Sequence, residues 1–262
     1  MDYGKLADYW ERVARRGGAD PDQIAARNVL IPPEVHRSVR LRQVGFLRGV
    51  LQRLPASRHV LDLGCGPGTW ALELASEVDS WLGYDISSSF VEEARRSAAR
   101  AGHSHLSFQT GSLLDVDAGS YDLVVLSGAL GYVQDADLLP VLLRARQHLK
   151  PGGMVYVRVS SMAWPYPRLA RRGAYQIVYR RHQEYLDAFR KAGFRCEASR
   201  DLAHTESILA AVYCVAGGLL GLPAGSVCRL AGRASWLTYG VARQLMDLLP
   251  VPQPHHFVLI PA

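Results

Sequence analysis

Gly64, Gly66 and Gly68, with Asp62 before them and Asp85 after them, are the residues whose types and spacing could do chemistry. Alternating glycines remove Cβ atoms where the chain must turn sharply and let a ligand come close to the backbone. A carboxylate at a strand end can accept a pair of hydrogen bonds, so Asp85, closing the apolar segment 80–85, suits the two hydroxyls of a ribose. A bound nucleoside is the chemistry these residues point to. The elements that must hold them follow from pattern. Residues 59–63 form an apolar run of strand length, 64–68 a glycine loop, and 69–75 the first turns of a helix whose free N–H groups face the crevice above the strand. The dinucleotide spacing G-x-G-x-x-G is not met, because position 69 is Thr and the third glycine comes one residue early.

The octet Leu61-Asp62-Leu63-Gly64-Cys65-Gly66-Pro67-Gly68 resembles the first motif of the class I S-adenosylmethionine-dependent methyltransferases of Rossmann-like, small-molecule type. That resemblance implies S-adenosyl-L-methionine as cofactor, with the loop under its methionine part and Asp62 helping to hold its amino group. It implies a cofactor set of Tyr9, Trp10, Asp62, Gly64, Cys65, Gly66, Gly68, Asp85, Ile86, Ser112, Leu113 and Ser127. Two places depart from the family pattern. Where relatives commonly carry Gly-Asp against the adenine amino group, this chain has Gly111-Ser112, leaving Leu113 to pack on the ring. Where many relatives place a histidine after the fourth strand, it has Gly131-Tyr132, and Tyr132 reads equally as pocket or core. The segments LLPVLLRARQHLKPGGMVYVRV (138–159) and HQEYLDAFRKAGF (182–194) also resemble the family.

The rest of the chain must position that loop. Tyr3, Leu6, Tyr9, Trp10 and Val13 recur at helical spacing; in the related enzymes an N-terminal helix often closes over the cofactor, which makes Tyr9 and Trp10 lid candidates. Further helices are expected over 34–54, 89–101, 137–149 and 182–193, and further strands over 106–109, 121–127, 154–159, 194–199 and 257–260. The expected fold is a doubly wound α/β sheet of seven mostly parallel strands, in the family order 3-2-1-4-5-7-6 with strand 7 antiparallel. A helical insertion precedes the last strand. The divisions are 1–54 as lid, 55–201 as Rossmann-like core, 202–254 as insertion and 255–262 as final core strand. Within the insertion, 208–222 carries no charge and 236–249 is amphipathic. Gly217-Gly218 and Pro223 interrupt the first of these short of the roughly 20 apolar residues a spanning helix needs. An acceptor pocket is the favoured reading, with a peripheral membrane contact through 208–249 or a homodimer surface as alternatives. Segment 160–181, with Trp164-Pro165-Tyr166-Pro167 and five arginines, lies where acceptor recognition is built in this fold.

Composition excludes other classes. The 262 residues carry a net charge of +6 and are 48% hydrophobic, which suits a folded core. No basic run interleaved with aromatics marks a nucleic-acid face. Cys65, Cys196, Cys214 and Cys228 have no paired spacing, so neither a disulfide frame nor a zinc site is expected. His103-His105 and His255-His256 fall in predicted turns and read as surface residues. No signal-peptide pattern opens the chain, and the cytoplasm is the default. The expected activity is methyl transfer to a hydroxyl or amine of an apolar, natural-product-like small molecule. A lipid or lipid-linked acceptor at a membrane surface is the alternative, and a non-catalytic cofactor-binding scaffold the second. His182, Tyr132 and His36 are the candidate bases for a hydroxyl acceptor.

Overall fold

Apolar strands build the centre of the molecule, whose computed structural model describes residues 2–17, 33–162, 169–172, 175–200 and 253–262. β1 (His59–Leu63), β2 (Ser80–Asp85), β3 (Leu106–Thr110), β4 (Tyr121–Ser127) and β5 (Leu149–Met162) pair in parallel. Three more strands precede the last pair: β6 (Leu169–Arg172) and β7 (Tyr175–Val178) form a hairpin, and β8 (Arg180–Arg181) runs beside the end of β5. β9 (Phe194–Arg200) and β10 (Gln253–Pro261) complete the main sheet in the order β3-β2-β1-β4-β5-β10-β9, with β10 antiparallel to both neighbours. This is the 3-2-1-4-5-7-6 order expected from the sequence, β9 and β10 being the sixth and seventh core strands.

Helices cover both faces, which is why β4 buries five consecutive residues instead of alternating. On one face α2 (Pro33–Leu51), α3 (Thr69–Glu73) and α4 (Ser88–Arg100) bring Leu47, Leu51, Ala71 and Val91 onto Val60, Trp81 and Tyr156. On the other, α5 (Asp135–Gln147) and α6 (His182–Lys191) bury Leu142, Tyr185 and Phe189 against Leu61, Val155 and Phe257. Burying each such large apolar side chain contributes about 1.5–3 kcal/mol. α1 (Tyr3–Gly17) packs against α4 and reaches the carboxyl ends of the strands.

Some boundaries differ from expectation. α2 ends at Leu51 and α5 begins at Asp135. The Lys150-Pro151-Gly152-Gly153 turn lies inside β5, where the register against β4 shifts between Tyr121 and Leu123. β5 also runs on to Met162 and so offers ladder partners, Ser160 and Ser161, to Pro254 and Gln253. That extension corrects the reading of His255 and His256 as surface turn residues. Both are drawn into β10 and are only 8% and 3% exposed, with Nδ1 of each hydrogen-bonded to Ser161 Oγ (2.9 Å) and Tyr156 Oη (2.6 Å) respectively. The Trp164–Pro167 loop and residues 202–252 of the expected insertion lie outside the described residues. Among the described residues no helix is long and apolar enough to cross a membrane, and no cluster of His, Cys, Asp and Glu could hold a metal ion.

Candidate active site

The glycine loop is tied down by its backbone. Gly64 and Cys65 both donate their N–H groups to the Tyr84 carbonyl (2.8 and 3.0 Å), and Gly68 donates to that of Cys65 (3.1 Å). Gly68 is where only glycine serves: it caps α3 with φ +74°, and a Cβ there would come within 2.9 Å of Ala94 and Phe108. Above the loop opens a cavity of about 410 Å³, within the usual small-molecule range of roughly 300–1,000 Å³.

Two carboxyls frame one side. Asp85, at the end of β2, accepts from Gly66 N–H through Oδ2 (2.8 Å) and from Ser87 N–H through Oδ1 (2.9 Å), and it lines the cavity. Each oxygen keeps further acceptor capacity. Burial raises its pKa above the usual carboxylate value, against the pull of these N–H groups. Asp62 on β1 is 2% exposed and its Oδ1 has no partner. Burial first, and then the charge of Asp85, push its pKa up to about 8. A buried carboxyl oxygen without a partner, next to a glycine cradle, is an arrangement that a cationic ligand group would relieve.

Apolar walls complete the enclosure. Ile86, Leu113 and Leu114 line the β2–β3 side, where Ser112 Oγ accepts from Leu114 N–H (3.1 Å) and holds the turn. Ser127, Gly128 and Ala129 line the end of β4, followed by Tyr132 and Val133. α1 covers the opening with Tyr3, Leu6 and Trp10; the Trp10 ring stands edge-on to Tyr132 at 5.4 Å and lies 6.3 Å from Phe90. The helix is fastened at two points. Glu11 accepts from Ser87 Oγ (2.8 Å), Ser89 N–H (3.2 Å) and Ser89 Oγ at the start of α4, and these bonds, that of Ser89 first, hold its pKa down to about 2. Tyr3 Oη donates to Asp137 Oδ2 (2.6 Å) and accepts from Gln134 N–H (3.1 Å) at the start of α5; burial first, then Asp137, pushes its phenol up to about 12.

Of the residues the sequence singles out, Trp10, Gly64, Gly66, Asp85, Ile86, Ser112, Leu113 and Ser127 come together around this one cavity. Tyr9, Asp62, Cys65 and Gly68 stand outside its lining. Tyr9 packs edge-on to Trp10 (5.2 Å), and Cys65 is buried in the core, its thiol pushed well up by burial. The candidate bases are dispersed. Tyr132 lines the cavity, whereas His182 is no part of the lining and packs its ring 4.6 Å from His255 and 5.3 Å from Phe257. The side chain of His36 lies outside the described residues.

Arg180 escapes any reading of the sequence. It is 1% exposed, and its guanidinium donates to the Leu130 carbonyl (3.0 Å), the Val133 carbonyl (2.6 Å) and Asp135 Oδ1 (2.9 Å). It thereby fixes the turn that carries Tyr132. In the sequence it is one arginine among five, and only the pairing of β8 with Ser161 of β5 puts it inside. Tyr3 could have been found, since it shares the helical face of Leu6 and Trp10.

Comparison with known proteins agrees with this geometry. Residues 60–153 match the sequence family described as a methyltransferase domain. A probable methyltransferase, ltbC, of Aspergillus luteorubrus is 32% identical over 131 residues, covering 45% of this chain and 46% of its own. A trans-aconitate 2-methyltransferase of Deinococcus radiodurans is 33% identical over 130 residues, covering 49% and 48%. The chain spans about half the length of these curated relatives. Among solved structures, the SAH complex of DhpI superposes with a TM-score of 0.62 over 100% of this chain and 99% of that one at 15% identity, a likeness of fold.

Proposed function

We propose, from a core that belongs to the class I S-adenosylmethionine-dependent methyltransferase family, that this chain moves a methyl group from S-adenosyl-L-methionine to a hydroxyl or amine of an apolar small molecule. The observation that carries the reading is the cavity of about 410 Å³ in which the glycine loop, Asp85 and the aromatic face of α1 meet. Its residues fit the cofactor. Asp85 accepts from the ribose hydroxyls, Ile86 and Leu113 hold the adenine, and Gly64 and Gly66 let the methionine part lie against the backbone. The Asp62 carboxyl, whose Oδ1 has no partner, balances the ammonium group from behind Gly64. Bound there, the cofactor supplies a methyl group already activated by its sulfonium.

The chain's own work is alignment and exclusion of water, and alignment alone can be worth roughly 7–11 kcal/mol of barrier. Trp10 and Tyr132 close the side on which the acceptor stands, with α1 pinned over them by Glu11 and Tyr3. Tyr132 Oη accepts a hydrogen bond from the acceptor's O–H or N–H, which orients the acceptor's lone pair and gives the proton it loses on methylation a group to pass to. Support for a small acceptor comes from the cavity's size and from the relative named for trans-aconitate.

Calorimetric titration with S-adenosylhomocysteine tests the reading. The parent binds in the micromolar range, and Asp85→Ala, which removes two charge-assisted acceptors, binds at least tenfold more weakly while still unfolding in one cooperative transition. A folded parent that does not bind overturns the proposal.

A further inference from the structure

Arg158 stands on β5 between Ser127 of β4 and His256 of β10, its carbonyl accepting from Gly128 N–H at 2.8 Å. Its side chain is half-buried. Its Nε is shielded from solvent with no hydrogen-bond partner, and no carboxylate among the described residues pairs with it. A guanidinium N–H without a partner and away from water is costly, and the fork of N–H groups that a guanidinium presents matches the two oxygens of a carboxylate or phosphate.

Its position connects that fork to the site. Gly128 lines the cavity with φ +82°, and a Cβ built there would meet one atom within 4 Å, Arg158 Nη1 at 3.6 Å. The missing side chain therefore leaves the guanidinium in van der Waals reach of the cavity wall. Charge is also sorted across the sheet. Asp85 and Asp62 sit on β2 and β1, whereas Arg158 sits on β5, two strands from β1 and so about 10 Å away at the usual strand spacing.

We propose that Arg158 is the anion-recognising residue of this site, taking a carboxylate or phosphate group of a bound ligand past Gly128. The proposal rests on the methyltransferase reading of the cavity. Two ligands could bring such a group: the cofactor, whose amino acid carries a carboxylate a few bonds from the ammonium that Asp62 balances, and an acidic acceptor. Either way the site sets carboxyl groups at one end against a guanidinium at the other, and selects for a ligand with a cationic and an anionic group in that order.

Titrations of the parent and of Arg158→Met separate the sources. The probes are S-adenosylhomocysteine, methylthioadenosine (the same nucleoside without the amino acid) and, on protein saturated with S-adenosylhomocysteine, benzoate and inorganic phosphate beside neutral benzamide. If the cofactor's carboxylate is the group, R158M weakens S-adenosylhomocysteine at least tenfold and leaves methylthioadenosine unchanged. If the acceptor carries it, S-adenosylhomocysteine binds both proteins alike, and the parent prefers benzoate or phosphate to benzamide at least tenfold, a preference R158M loses. Equal S-adenosylhomocysteine affinity together with no anion preference in the parent overturns the proposal. A parent that binds neither nucleoside overturns the methyltransferase reading itself. Should R158M not fold, Arg158→Lys replaces it: the charge without the fork weakens the same ligand in the same direction, and unchanged affinity for every probe overturns the assignment.

Discussion

Replacing Arg180 by methionine tests whether one buried cation holds the cavity wall that carries Tyr132. The substitution keeps an apolar stem of similar length, so packing against Tyr185, whose ring lies 5.7 Å from the guanidinium carbon, is largely retained. What disappears is the set of donors. The Leu130 and Val133 carbonyls belong to residues 0% and 2% exposed, so water replaces Arg180 poorly. The Val133 carbonyl, left without a donor, costs about 1–3 kcal/mol, and the Leu130 carbonyl, which keeps the Val133 N–H at 3.3 Å, loses about 0.5–1.5 kcal/mol. Asp135, half exposed, regains water and adds less than about 1 kcal/mol. The sum is about 2–5 kcal/mol, overlapping the size expected for breaking a buried ion pair. For a chain of this length each kcal/mol lowers the melting temperature by about 2–4 °C, so R180M should melt on the order of 10 °C below the parent. Circular dichroism measures that shift, and S-adenosylhomocysteine titration of the folded variant measures what remains of the site. Because Asp85 and the glycine loop do not touch Arg180, cofactor affinity should stay within about threefold, while amide exchange of 130–135 accelerates. A loss of less than about 2 °C would show that the three hydrogen bonds do not hold the turn, and the account of Tyr132's placement would fall with them.

Asp62 gives a pH signature. Its pKa rises from the ordinary 3.8 to about 8 in the fold, so the folded state prefers the protonated form. The stability this provides is complete below about pH 4 and is lost as pH rises toward 8. Asp62→Asn cannot ionise, so without ligand its melting temperature should gain on the parent's steadily across that window; parallel curves would refute the assignment. Gly68→Ala should cost about 2–5 kcal/mol in chemical denaturation, about 1–2 from left-handed backbone and about 1–3 from the clash with Ala94 and Phe108. Gly102→Ala shares the φ of +74° but meets nothing within 4 Å, and should cost the backbone part alone. Equal losses in the two variants would remove the packing argument.

What could be read from the sequence was what depends on neighbours along the chain. The β1–loop–α3 unit is legible because glycine spacing, an apolar strand and a helix start lie within one short stretch, and Asp85 because it ends the next strand. The eight residues that reach the cavity from the predicted cofactor set come from five such local patterns. The parts that were not legible are set by contacts between distant segments. Glu11 meets Ser87 and Ser89, and Tyr3 meets Asp137, across intervals in which no periodicity links them. His255 and His256 look like a polar turn until β5 is known to extend far enough to pair with them. Arg180 is charged, and charge in a sequence argues for the surface; only three acceptors converging on it make burial tolerable.

The place of β10 in the sheet also sets an order on the molecule's assembly. Among the described strands β9 is hydrogen-bonded to β10 alone, yet residues 201–252 separate the two in sequence. β1 to β5 can pair as they emerge, each joined to the next by a short local crossover. β9 must then wait, its edge and that of β5 both open, until 253–261 arrive and fill the gap between them. Closing that long interval is slow compared with the pairing that precedes it. The waiting state exposes two unpaired strand edges and the apolar faces of Phe257's future neighbours, so it is the stage at which this chain would most readily associate with itself or with a chaperone.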